Sequence, residues 1–226
     1  MTYTRRLSWF LAVSVLQLTC LTAQKSSFWL ELGVGHALEN KKYFEDYLNP
    51  SASYLLRPGM TIGSQFRFDT KTKLSFSAGL TLEQRMNAYN QRQSDKIDQR
   101  LVSIWYVNLP ASIYYRPFEK FSVGIAVSPG YFMLRTGRSK FEGKTENFTA
   151  RWSWESKAFY YLFDLSSQVK IQYFPHKRIF IQSAFQYGLL PRLDKTKINI
   201  GASEDQKYRL HWQILQLSAG WRLNRT

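Results

Sequence analysis

The sequence has little cysteine, little histidine and no long uninterrupted apolar run. Its 226 residues include one Cys and three His. A single cysteine excludes a disulfide-stapled domain, which needs several pairs. A helical membrane protein needs apolar runs of about 18 residues or more, and none is present. Acidic residues are also scarce, with 16 Asp and Glu against 31 Lys and Arg, which gives a formal charge of +15.

Aromatic residues, in contrast, are abundant and make up 16% of the chain. A disordered basic tail would lack them, because such segments are poor in aromatics. The length corresponds to one domain. The composition therefore predicts a folded, basic, single-domain chain.

The first residues have the order of a secretory signal. Arg5 and Arg6 precede an apolar run over 7–21, and small and polar residues follow it, ending at Ala23 and Gln24. A single membrane anchor is the alternative, but the run is short and interrupted by polar residues. We expect residues 1–24 to be a cleaved signal peptide and 25–226 to form the mature domain. Cleavage would remove the only cysteine, as suits an oxidising periplasm.

After residue 24 the dominant pattern has period two, which is typical of strands with one apolar and one polar face. In 74–83 the even positions are apolar and the odd ones small or polar. Similar alternation predicts eight strands, at about 27–36, 56–68, 74–83, 101–116, 119–135, 158–174, 178–190 and 208–223.

The connections between these strands alternate in length. Tight turns are predicted near 69–72, 117–119 and 174–177, while the links 37–55, 87–100, 136–157 and 191–207 are long and polar. Short turns at one end and long loops at the other are typical of bacterial outer-membrane barrels. The pattern predicts an all-β fold, an eight-stranded antiparallel up-and-down transmembrane β-barrel in the outer membrane.

Residue parity assigns the two faces of this barrel. The apolar rows are predicted to face lipid, with aromatic residues near both ends. An eight-stranded lumen is filled by its own side chains, so its charges are expected to pair and close it. The predicted lumen network joins three carboxylates to three cations: Glu31, Glu83 and Asp164 with Arg67, Arg85 and Lys170. A soluble lipocalin-like barrel, with the apolar rows inside, is the alternative fold.

The stretch 107–118, which reads VNLPASIYYRPF, resembles a strand motif of the small outer-membrane β-barrels of Bacteroidota, the PorT-like family. The segments 122–131, 185–190 and 217–223 are similar to other strands of that family, and the resemblance covers about 27–223. It implies a barrel fold in the outer membrane. PorT itself is associated with secretion across that membrane, whereas the wider family mostly lacks an assigned role.

Residues suited to catalysis are sparse, and we predict no catalytic site, metal or cofactor. His36 and His211 fall at the ends of two strands that barrel closure would pair, but no motif with Ser accompanies them. A lipid A-remodelling enzyme using His36 or His211 is therefore an alternative, and a narrow pore is another. No spacing typical of metal ligands is present.

The basic residues and the long loops indicate partners at the membrane surface rather than nucleic acid, which exported barrels rarely meet. Loop cations such as Arg138 and Lys140 are expected near lipopolysaccharide phosphates, and the turn-side cations near anionic headgroups. Within 136–157, aromatic residues and arginine occur together as they do in binding hot spots. We predict a docking loop for a protein or a glycan there, with Phe148, Arg151, Trp152 and Trp154.

Overall fold

The computed structural model describes residues 25–38, 53–55, 57–93, 96–141, 144–151, 163–190 and 213–223. These ranges form antiparallel strands. In chain order the strands are β1 (Lys25–Leu38), β2 (Ser53–Leu55), β3 (Gly59–Asp69), β4 (Leu74–Gln93), β5 (Lys96–Asn108), β6 (Ala111–Phe118), β7 (Phe121–Phe141), β8 (Lys144–Arg151), β9 (Phe163–His176), β10 (Ile179–Gly188) and β11 (Gln213–Arg222). The described ranges contain no helix that is long and apolar enough to cross a membrane.

The sheet closes on itself. Around the ring the order is β3, β1, β11, β10, β9, β7, then β5 together with β6, then β4, which pairs back to β3. β5 and β6 act as one wall strand, because both pair with β4 on one side and β7 on the other. In the described residues the wall is therefore an eight-stranded antiparallel barrel, and the predicted fold class is confirmed.

The break between β5 and β6 falls at Leu109 and Pro110. A proline has no N–H to donate to a neighbouring strand, so strands usually tolerate it only at bulges and edges. The backbone N–H of Leu109 donates to Pro129 O at 2.8 Å, and Gly79 N–H donates to Pro110 O at 3.0 Å. These bonds hold the two pieces in one wall across the interruption.

The wall is apolar outside and polar inside. Leu32, Ile62, Ile125 and Leu217 are each more than half exposed, at 59%, 53%, 63% and 56%. The alternate residues Gln65, Ser128, Gln168 and Gln216 are buried in the lumen. This polarity excludes the lipocalin-like alternative, which would require apolar rows inside.

Aromatic residues lie in the outward rows near both ends of the barrel. On the short-turn side they are Phe68, Tyr115, Phe121, Tyr173 and Trp221, and on the opposite side Trp105, Tyr131 and Tyr187. Phe159 and Tyr161, which were predicted for the second belt, lie outside the described residues. Belts of this kind are typical of membrane–water interfaces.

Two segments predicted as loops are strands. Residues 87–93 continue β4 and 96–100 continue β5, and the two pair as a hairpin as far as Gln93 and Lys96. Residues 136–141 continue β7, which pairs with β8. The prediction was wrong because it relied on alternation of apolar and polar residues. Strand segments beyond the hydrocarbon core have water on both faces, so their residues need not alternate. The predicted loop 191–207 lies outside the described residues, as does most of 37–55.

Candidate functional site

The middle of the lumen holds a buried group of three charges. Arg85 Nε lies 2.7 Å from Glu83 Oε1, and Arg85 Nη1 lies 2.7 Å from Asp164 Oδ2. Asn108 donates to the second oxygen of Glu83 at 2.6 Å, and the Arg85 guanidinium lies 4.2 Å from the centre of the Tyr106 ring. Since Glu83 and Arg85 come from β4 and Asp164 from β9, the group links two strands that are not neighbours in the barrel. Pairing of this kind is what buried charges need to offset desolvation.

The other members of the predicted lumen network, Glu31, Arg67 and Lys170, do not form ion pairs with one another or with Asp164, because the strand register separates them. Glu31 lies beside Gly63 of β3, so Arg67 is four residues further along that strand, about 13 Å away. Arg67 instead lies 3.3 Å from Asp69. Lys170 is six residues from Asp164 on β9, about 20 Å along the strand, and its amine donates to Ser112 Oγ at 3.3 Å.

Two glutamine side chains connect Arg67 to Glu31. Arg67 Nη1 donates to Gln172 Oε1 at 2.8 Å, and Gln172 Nε2 donates to Gln182 Oε1 at 2.9 Å. Gln182 Nε2 then donates to Glu31 Oε1 at 2.9 Å, where Ser218 also donates at 2.6 Å. Each amide is oriented with its oxygen toward the cation and its nitrogen toward the carboxylate, so the bonds polarise one another.

Apolar clusters close both ends of this polar layer. Trp29, Phe174 and Phe180 pack together toward the short turns, with the Trp29 and Phe180 rings 5.2 Å apart. The opposite cluster is larger and consists of Ala37, Val102, Ile104, Tyr106, Phe132 and Ile214. Gly220 makes room for the first cluster, because a Cβ there would meet the Phe180 ring. Trp29 shares the parity of Glu31 on β1, and Phe174 that of Lys170 on β9, which is the signal in the sequence that these aromatic residues enter the lumen.

A small cavity lies between the two clusters. It has a volume of about 20 Å³ and is lined by residues that include Glu31, Glu83, Gln168 and Lys170. That volume suffices for about one water molecule. The described part of the lumen is thus a packed core in which many of the polar groups bond to one another.

The described residues show no group of three or more His, Cys, Asp or Glu that could hold a metal. His36 follows the outward row of β1, in register with Leu215 of β11. His211, its predicted neighbour, lies outside the described residues, and His176 is exposed at the end of β9.

On the rim opposite the short turns, β4, β5 and β7 extend beyond the point where β7 last pairs with a described residue of β9. We define the raised sheet as β2, β8 and residues 88–93, 96–101 and 134–141, in the spatial order β2, β4, β5, β7, β8. The last residue of β7 that pairs with β9 is Tyr131, so β7 extends ten residues further, about 33 Å along the strand. Of the predicted docking residues, Phe148 and Arg151 lie on β8 within this sheet, while Trp152 and Trp154 lie outside the described residues.

A closed antiparallel barrel with an apolar exterior, two aromatic belts and a polar lumen defines a class, the transmembrane β-barrel of the bacterial outer membrane. The protein accordingly resides in the outer membrane.

No family model and no curated protein matches the chain. The PorT-like resemblance therefore stays a prediction. Among solved structures, the chain is similar to the attachment invasion locus protein Ail of Yersinia pestis, in a complex with the heparin analogue sucrose octasulfate. The two are 14% identical with a TM-score of 0.44, over 88% of this chain and 97% of that chain.

Neisserial surface protein A is 10% identical with a TM-score of 0.44, over 88% of this chain and 100% of that one. The outer membrane protein OprG of Pseudomonas aeruginosa is 8% identical with a TM-score of 0.43, over 90% of this chain and 99% of that one.

Proposed function

We propose that this protein is a non-catalytic, non-conducting outer-membrane barrel with a structural or adaptor role, and that it binds its partners through its two rims. The observation that carries the proposal is the packed lumen. A buried ion group and a glutamine relay occupy its middle, and an apolar cluster lies at each end. A barrel filled in this way offers neither a path for ions nor a cleft for a substrate.

The narrow-pore alternative makes an opposite prediction for the purified barrel. We expect full-length protein, inserted in a planar bilayer, to give no current steps above those of the protein-free membrane. Insertion would be established independently by the slower gel mobility of the boiled sample. Reproducible unitary steps from inserted protein would contradict the proposal and favour a pore.

The raised sheet is the surface that we propose for a protein partner. Its sequence is basic, and Arg138, Lys140, Lys144 and the carboxylate Glu146 are exposed on it. Arginine beside the aromatic residues of 141–154 is a composition typical of binding hot spots. Secretion across the outer membrane, with which PorT itself is associated, is the process in which we would seek this partner.

Photo-crosslinking in intact cells tests the adaptor role. We expect a photoreactive amino acid at Arg138, on the raised sheet, to give one discrete protein adduct. The same photoreactive amino acid in place of Leu217, on the lipid-facing wall, is the matched control and is expected to give no protein adduct. Absence of any protein adduct at Arg138 and also at Lys177, on the opposite rim, would contradict an adaptor role.

Lipopolysaccharide is the lipid partner that we propose for the same rim. Tyr131 and Met133 end the outward apolar row of β7, and Arg138 and Lys140 lie on the same face a few residues beyond. Cations immediately beyond an aromatic belt are well placed to contact anionic headgroup phosphates. We do not propose catalysis, because His36 lies in a lipid-facing row and no observation favours the lipid A-remodelling alternative.

A further inference from the structure

The rim with the short turns contains an open cavity that the lumen and the raised sheet do not explain. It has a volume of about 410 Å³ and lies where the turn between β3 and β4 meets the turn between β6 and β7. The turns are tied together, because Arg116 N–H donates to Lys73 O at 2.8 Å and Lys73 Nζ donates to Pro117 O at 3.2 Å. The cavity walls are thus positioned by both hairpins. A volume of this size is within the range of small-ligand sites.

Positive charge predominates in this cavity. Its lining carries three cations, Lys25, Lys73 and Arg116, and two carboxylates, Asp69 and Glu119. Asp69 already pairs with Arg67 at 3.3 Å. The uncompensated charge therefore favours an anionic ligand.

Two residues that line the cavity have a buried donor without an acceptor. Arg116 Nε is buried and has no hydrogen-bond partner, although its guanidinium is held 4.8 Å from the centre of the Phe174 ring. Ser75 Oγ accepts from Arg67 Nη2 at 2.9 Å, which leaves its own hydroxyl proton for another acceptor. A buried donor without a partner is costly unless a ligand satisfies it.

The lipid side of the same cavity is apolar. Leu74 and Phe118 belong to its lining and are 40% and 72% exposed on the outer surface. The cavity therefore adjoins both the end of the apolar wall and the cationic turns. A glycerophospholipid has the matching arrangement, with acyl chains next to a phosphate.

We propose that this cavity is a binding site for a phosphate group, and that its source is a glycerophospholipid of the membrane leaflet on the short-turn side. Arg116 and Lys73 contact the phosphate oxygens, Ser75 donates its hydroxyl proton, and the acyl chains lie against Leu74 and Phe118. Charge-assisted bonds from guanidinium and ammonium groups are the strong contacts that phosphate recognition uses.

Native mass spectrometry of the full barrel in detergent tests the site with defined lipids. We expect dilauroyl phosphatidylglycerol to stay bound, and dilauroylglycerol, which has the same chains without the phosphate, to bind at least about tenfold more weakly. The double variant Arg116→Gln, Lys73→Gln should lose about tenfold in affinity for the phospholipid. The matched control, Lys177→Gln with Arg178→Gln, removes two charges from the turn between β9 and β10 and should change affinity less than twofold.

Lys73 is exposed on a turn, so Lys73→Gln alone keeps the test valid if the double variant does not fold. Competition with inorganic phosphate at millimolar concentration distinguishes the two sources of the phosphate group, a phospholipid and free phosphate. If it fails to displace the phospholipid, the lipid is the ligand; if it displaces the phospholipid fully, the site takes free phosphate and the lipid assignment is overturned. Equal binding of the two lipids, or equal loss in the cavity and control variants, would overturn the site itself.

Discussion

At the scale of single residues, Arg85 is the charge that links two buried carboxylates in the lumen. Its guanidinium bonds two carboxylates from opposite parts of the wall and lies against the Tyr106 ring. Both carboxylates are buried, at 6% exposure each. If the arginine is removed, two buried negative charges remain near each other without a cation.

We therefore predict that Arg85→Met lowers the free energy of unfolding by about 3–5 kcal/mol, which is the usual cost of removing one partner from a buried ion pair. Urea titration in detergent, followed by gel mobility, measures this change. The variant Glu83→Gln, Arg85→Met, Asp164→Asn removes all three charges and should recover most of the loss. If Arg85→Met is as stable as the original protein, the ion group does not hold the barrel together.

Parity predicted which residues enter the lumen but not which of them bond. Glu31, Arg67, Glu83, Arg85, Asp164 and Lys170 were all placed in the inward rows. Arg67 and Glu31 do not form an ion pair because register along β3 separates them, and register depends on tertiary pairing that one sequence does not contain. The glutamine relay that joins these two residues uses Gln172 and Gln182, whose amides carry no charge to mark them as partners.

At the scale of elements, the unexpected feature is the length of β4, β5 and β7. Inside the hydrocarbon each has a clear alternation, which is why the strand cores at 74–83, 101–116 and 119–135 were predicted correctly. Above it, segments such as 96–100, which reads KIDQR, are mostly polar. Their strand character is sustained by the backbone ladder with neighbouring strands, a long-range property that local patterns do not report.

The backbone hydrogen bonds between the strands of the raised sheet predict slow amide exchange there. We expect the amides of 97–101 and 135–140 to exchange at least about tenfold more slowly than those of the turn at 70–73, because paired amides exchange only through local opening. Hydrogen–deuterium exchange with mass spectrometry on detergent-solubilised protein measures both regions in one sample. Exchange of 135–140 at the rate of the turn would mean that this part of β7 is a loop.

At the scale of the whole molecule, the two rims differ in shape and in chemistry. One rim has short turns, a cationic cavity and the Trp29, Phe174 and Phe180 cluster beneath it. The other carries the raised sheet. Because the lumen between them is packed, the rims act as separate surfaces joined by a rigid wall. A barrel of this kind can present one ligand-binding surface on each side of the membrane.

The orientation of side chains across the wall gives the last prediction, which uses tryptophan as a reporter of lipid contact. Trp221 is 56% exposed in the short-turn aromatic belt, whereas Trp29 is 3% exposed inside the lumen. In single-tryptophan variants, with the other tryptophans replaced by Phe, brominated phospholipids should quench Trp221 and leave Trp29 nearly unchanged. Bromine near the headgroup should quench Trp221 more than bromine at the chain end, because interfacial tryptophans sit at headgroup level. Equal quenching of Trp29 and Trp221 would place the lumen row against lipid, and the inside-out polarity assigned to the barrel would then be wrong.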